Sequence, residues 1–242
     1  MTPESLQIAK FLPNKFDFSK PKSIIRVNMK EKLAELGSQE QWFGQPAPEV
    51  VRKIVEVNPQ ISRIAVVQYC SWGDSDEKEI SEWWETVHRM SRKDVLNSLL
   101  YIAIAGVLNL GDEEESIGWR GLAVSVSSKV ELDSGKEAQI PMLDFTIWPT
   151  SKNLLILKDK LLELNFPPGF IINSGNSYHY WGTQLLGPRK WLSWLKSVSS
   201  KESPILGMVD SKWVKRSQDE RCGYLRIAPS DSKRQPKVEA LI

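Results

Sequence analysis

Several short stretches in the C-terminal half place chemically capable side chains at defined spacings. Asp144 stands in Leu143-Asp-Phe-Thr-Ile147, an apolar run that reads as a strand, where acids are depleted. Asp210 follows Val209 in a later segment. Between them lies Asn173-Ser-Gly-Asn-Ser-Tyr-His179, which ends on one of the chain's 2 histidines. Arg226 sits between Leu225 and Ile227, where a charge is costly unless its head reaches a partner. Lys233 follows in a polar loop. Carboxylates are hard oxygen ligands for Mg²⁺ or Mn²⁺, which bind few protein groups and complete their shells with water and phosphate. Ser174 and Ser177 offer hydroxyls, and Gly175 permits a backbone turn close to an anion. His179 as imidazolium is a short-reach cationic donor. Each residue also has a plainer reading: Asp144 as an edge-strand surface acid, His179 as a core histidine bonded to a carbonyl, Lys233 as a solvated cation.

The elements that would position these residues follow from periodicity. Residues 1–22 read as an arm punctuated by Pro3, Pro13 and Pro21. Residues 23–115 read as a mostly helical α/β unit. Met29–Gly37 is a helix closed by its glycine, and a second helix starts at Pro46 or Pro48. Ile61–Tyr69 is a strand. Asp74–Met90 is an amphipathic helix with acids at its start. A further helix runs from a capping box at Ser91–Asp94 to about Leu110. From Trp119 the period becomes two. A hairpin turns at Asp133-Ser-Gly135, and its second arm is Ala138–Trp148. A helix from Pro149 to Asn165, strands on either side of the Gly-Asn-Ser turn, and a helix from Pro188 to Ser199 come next. The tail holds one helix, the strand Gly223–Ala228 and a polar end. Residues 116–242 thus form a second unit, and the whole is α+β.

The order of these motifs resembles the archaeo-eukaryotic primase superfamily of primases and primase-polymerases, over roughly residues 119–238. That family carries an acidic strand motif, a Ser-Gly turn ending in Ser-x-His or Gly-x-His, a hydrophobic-Asp, and an Arg-bearing strand leading to Ser and Lys. Here these are Leu143-Asp-Phe-Thr-Ile147, Ser174-Gly-Asn-Ser-Tyr-His179, Val209-Asp210, and Leu225-Arg-Ile-Ala-Pro-Ser230 with Lys233. The resemblance implies an RRM-like antiparallel sheet packed against the N-terminal unit. It implies template-directed nucleotidyl transfer, with single-stranded DNA or RNA as template and nucleoside triphosphates as substrates. Asp144 and Asp210 would hold Mg²⁺ or Mn²⁺, and with His179 they form the expected catalytic set. Ser174, Gly175, Ser177, His179, Arg226 and Lys233 would bind the triphosphate.

The pattern departs from the family at one place. Thr146 stands where a second acid is usual, and a hydroxyl is a far weaker cation ligand than a carboxylate. Glu131 or Asp133 could substitute, or one metal could suffice. A third reading is a catalytically weakened protein that binds nucleic acid or nucleotide on the same fold. Another metal-dependent phosphoryl enzyme is a rival of a different kind.

Composition sets the remaining bounds. The chain has 242 residues, 41% hydrophobic, ample for a packed core, and a formal charge of +2 that permits nucleic-acid binding without requiring it. From Arg189 onward there are 12 Lys/Arg against 6 Asp/Glu, a basic surplus suited to a nucleic-acid backbone. Cys70 and Cys222 have no metal-ligand spacing, and no apolar run is long enough for a membrane span or a leader, so a cytoplasmic location is expected. Of the 10 tryptophans, Trp83, Trp84, Trp191 and Trp194 read as packing residues. Trp148 and Trp181 are the candidates for base stacking.

Overall fold

A computed structural model describes residues 36–70, 87–97, 122–229 and 234–242. The arm, the helices expected at 74–86 and beyond 97, Trp83, Trp84 and Lys233 lie outside the described residues. Two antiparallel sheets carry the fold. In the first, β2 (Val87–Ser91) pairs with β1 (Ile61–Cys70), and β1 with β3 (Leu122–Leu132). The other edge of β3 is shared by β4 (Glu137–Gln139) and β8 (Tyr224–Arg226), which pair with different parts of its length. The second sheet has the order β5 (Met142–Asp144), β7 (Tyr178–Gly182), β6 (Gly169–Asn173), β9 (Lys237–Leu241). The α+β class is borne out.

Alternation along the strands creates two cores. One face of the second sheet presents Met142, Phe170, Ile172 and Trp181 to a core shared with Val66, Val124 and Val126 of the first sheet. The short α1 (Gln39–Trp42) and α2 (Ala47–Val57) add Trp42, Val50, Val51 and Ile54 to it. The opposite face presents Leu143, Phe145, Ile171 and Tyr180 to α4 (Ser151–Glu163) and α5 (Pro188–Val198). There Trp191 and Trp194 are packed, as their helical spacing predicts. Phe166 stands edge-on to Tyr180 with ring centroids 5.1 Å apart.

Local chemistry sets several boundaries where the sequence places them. α2 begins at Pro46-Ala-Pro48, and Gly37 takes φ 97°, while most of the helix expected at Met29–Gly37 lies outside the described residues. Ser91 and Asp94 form a reciprocal capping box at α3 (Arg92–Leu96). Thr150 caps α4 by accepting from Asn153 N at 3.2 Å. Gly135 takes φ 72° in the β3–β4 turn.

Three expectations are corrected. Residues 87–90 do not end a helix: they pair with β1 as β2, and Met90 turns into the core. Ala138–Trp148 is not one hairpin arm. The chain leaves the first sheet at Ile140 and joins the second at Met142, because Pro141 has no N–H to continue a ladder. The polar end is β9, an edge strand whose Val238 and Ala240 bury on opposite cores. Its apolar residues are confined to the last five positions, behind Lys233, Arg234 and Lys237, a stretch too short for a clear strand signal.

Candidate functional site

Strand pairing brings three of the expected residues into one row. His179 on β7 is paired directly with Asp144 on β5. Beyond β5 the chain returns as Met208-Val-Asp210, bridged to it at Phe145–Val209. Asp210 N donates to Asp144 O at 2.9 Å, and Thr146 N donates to Met208 O at 2.8 Å. These bonds set Asp144 opposite Asp210. Phe145 and Val209 point into the helix-covered core, so their neighbours Asp144 and Asp210 share the other face of the sheet. His179, Asp144 and Asp210 therefore stand side by side on three adjacent segments.

Within the row, His179 Nε2 lies 3.6 Å from Asp144 Oδ1, an ion pair when the imidazole is protonated. His179 is buried and Asp144 is partly open to solvent. Asp210 is the N-cap of α6 (Ser211–Glu220): its Oδ1 accepts from Lys212 N at 2.8 Å and Trp213 N at 3.0 Å. A helix amino end thus fixes this carboxylate at the end of the row.

The Ser-Gly turn stands beside it. Ser174 N donates to Ser177 O at 2.9 Å, and the two hydroxyls are 3.0 Å apart. Gly175 N donates to Asn173 Oδ1 at 2.9 Å, and Gly175 takes φ 106°, which an L side chain rarely adopts. Ser177 lies just before β7, two residues from His179.

Arg226 reaches this turn from the first sheet. It is only 4% exposed, and its guanidinium donates to Ala228 O at 2.5 Å, to Arg234 O at 2.9 Å and to Ser174 O. The arginine thus ties the turn of one sheet to the other, and burial among carbonyls explains how a charge is tolerated mid-strand. Two residues back, Tyr224 lines a groove of about 330 Å³ on the first sheet, with Ser127, Arg63, Arg89 and Lys129. Arg63 pairs with Glu131 at 3.6 Å and Lys129 with Glu137 at 3.4 Å. Sequence reasoning did not find this groove, since its cations are scattered over three strands.

Other candidates are not brought to the row. Glu131 faces the groove, and Asp133 lies in the β3–β4 turn. Thr146 Oγ1 turns back to Met208 O at 3.3 Å. Trp181 is fully buried between the sheets and so has no face for a base, whereas Trp148 is exposed. Cys222 is buried and free.

Cation binding can be tested against this donor set. Among the described residues no group of three or more His, Cys, Asp or Glu could hold a metal ion. Asp144 and Asp210 are too few for an all-protein cage, and a hard cation held there would have to take its other ligands from water and phosphate.

Two acids, a Ser-Gly turn and a histidine gathered at one antiparallel sheet, with an arginine reaching the turn from the other sheet, fit the pattern of a primase-like core. The family described as AEP-like, archaeo-eukaryotic primase 1D-like, matches residues 119–239, which span every one of these residues. The match covers half of the chain, and the chain belongs to that family. No curated protein and no solved structure matches it. Among the described residues no helix is long and apolar enough to cross a membrane.

Proposed function

We propose that the chain is a primase-polymerase-type nucleotidyltransferase that extends a nucleic-acid strand on a single-stranded template. The observation that carries this is the row His179–Asp144–Asp210, built by strand register beside the Ser-Gly turn. The reaction joins the oxygen of a 3′-hydroxyl to the α-phosphorus of a nucleoside triphosphate, breaks the bond from that phosphorus to the bridging oxygen, releases pyrophosphate and gives the hydroxyl proton to solvent. Asp144 and Asp210 would hold Mg²⁺ or Mn²⁺, which supplies positive charge to the reacting oxygens.

The chain's own residues do the positioning. Ser174 and Ser177 present hydroxyls, and Gly175 presents backbone, to the triphosphate. Protonated His179, held by Asp144, donates to a phosphate oxygen. Arg226 locks the turn in place and adds positive charge beneath it, and Lys233 is a further candidate for a phosphate contact. The groove on the first sheet supports a template path: it offers Arg63, Arg89 and Lys129 to phosphates and Tyr224 for stacking, and Tyr224 and Arg226 share one face of β8. Thr146 in place of a second acid leaves two carboxylates, consistent with one tightly held cation.

A primer-extension and de novo priming assay tests the proposal, with ribo- and deoxynucleotides and with Mg²⁺ and then Mn²⁺. Product from the wild type and none from the Asp144→Ala, Asp210→Ala double variant supports it. No product under any condition, with nucleotide or DNA binding intact, overturns it in favour of a binding protein on a primase-like fold.

A further inference from the structure

The helix α6 carries its charges in the reverse of the order that its dipole favours. Lys212, Lys215 and Arg216 come first, nearer Asp210, and Asp219 and Glu220 come last. Its first turn holds no acid and its last turn no base. Acids at the amino end and bases at the carboxyl end would stabilise the helix, so helix stability does not account for this order.

The cations adjoin the row. Asp210 Oδ1 accepts from the backbone nitrogens of Lys212 at 2.8 Å and Trp213 at 3.0 Å, so these N–H groups are taken by the carboxylate, and side chains are what the first turn offers to solvent. Lys212 is exposed, and its Cα–Cβ bond leans back towards Asp210. Arg216 shares the exposed stripe one turn on, with Glu220 at 2.7 Å, while Val214 and Ser217 form the buried stripe. Trp213 holds the helix in place. Its Nε1 donates to Tyr224 O at 2.9 Å, and a Cβ on Gly223 would come within 2.7 Å of its ring.

The chemistry of the row specifies the anion. α6 joins the row at Asp210, whereas the Ser-Gly turn joins it at His179, two strand spacings or about 10 Å across the sheet. In phosphoryl transfer the attacking and leaving oxygens lie roughly in line, on opposite sides of the phosphorus. With the triphosphate tail at the Ser-Gly turn, the strand that supplies the 3′-hydroxyl approaches from the α6 end. We propose that Lys212, with Arg216 one turn further on, holds backbone phosphates of that strand, the one being extended. This assignment rests on the reading of the row as a nucleotidyl-transfer site. It adds two positioning residues at the end of the row away from the triphosphate.

Fluorescence anisotropy of the full chain on one single-stranded template, with and without an annealed primer, tests this at several salt concentrations and without turnover. The wild type binds the primed DNA more tightly than the unprimed. Lys212→Gln with Arg216→Gln weakens binding of the primed DNA about tenfold and lowers the slope of log affinity against log salt by about 1–2, as the loss of two phosphate contacts requires. Affinity for the unprimed template stays within about twofold. Lys212→Arg keeps the wild-type affinity and slope, because a phosphate accepts from either cation. In extension kinetics the double variant raises the KM for primed DNA and leaves the KM for nucleotide unchanged. Melting controls match the wild type, since both side chains are exposed and an exposed ion pair contributes little. Equal loss on the two DNAs, no loss on either, or a wild type that does not prefer primed DNA would each overturn the proposal. Primer-dependent binding that needs Lys212 and Arg216, with no product under any condition, would instead remove the polymerase reading and leave the strand contact in place.

Discussion

Substitution can separate the helix cap that Asp210 supplies from the cation-binding role proposed for it. Its Oδ1 caps α6 through Lys212 N and Trp213 N, and its carboxylate charge faces the row beside Asp144. Asparagine caps a helix about as well as aspartate, while alanine loses about 1 kcal/mol at such a position. In a domain of this size that corresponds to a melting-point drop of about 2–4 °C. Asp210→Ala should therefore melt about 2–4 °C low, and Asp210→Asn within about 1 °C of the wild type. Both should lose strand extension, because a neutral amide is a poor ligand for a hard cation. Differential scanning calorimetry beside a single-nucleotide extension assay reads the two effects separately. If Asp210→Asn extends primers normally, the carboxylate has no part in the chemistry and Asp210 is only a cap. If Asp210→Asn melts as low as Asp210→Ala, the capping argument is wrong.

Two further outcomes follow from the geometry. Gly175→Ala forces a Cβ into φ 106° with Arg234 N at 3.6 Å, so it should cost roughly 1–2 kcal/mol and raise the KM for nucleotide, read by melting and by extension kinetics. Tyr178 is pushed up to about 12 by burial and by the nearby Glu239 carboxylate, and burial also pushes Tyr180 well above its usual value. Folded-state values above the unfolded one give stability that is full below about pH 10 and lost as pH rises towards 12, so urea midpoints should fall over that window and fall less in the Tyr178→Phe, Tyr180→Phe variant.

The sequence shows the site more clearly than the scaffold. Asp144, the Ser-Gly turn, His179 and Asp210 are readable because a strand acid, a turn glycine and a histidine each break a local rule for a reason chemistry can supply. What no local pattern reveals is the register that sets them side by side. That depends on Phe145 meeting Val209, two residues 64 positions apart in the chain. Capping signals at Ser91, Pro46 and Thr150 act within one turn, and so they are legible. The turn of the chain at Pro141 from one sheet to the other is hidden because both flanks read as strand. Arg226 is a related case: its cost mid-strand is plain, but one of its carbonyl partners, Ser174, lies 52 positions away in the chain. Trp181 misleads for the same reason, since its place near His179 does not tell which face the sheets bury.

The central claim is that Asp144 and Asp210 form the cation-binding end of a nucleotide site. Crystals grown with Mn²⁺ and a non-hydrolysable nucleoside triphosphate would test it by anomalous scattering. The account predicts a manganese peak bound by both carboxylates, with triphosphate oxygens reaching towards Ser174, Ser177 and His179. Manganese and nucleotide bound together at a place that touches neither aspartate would contradict it.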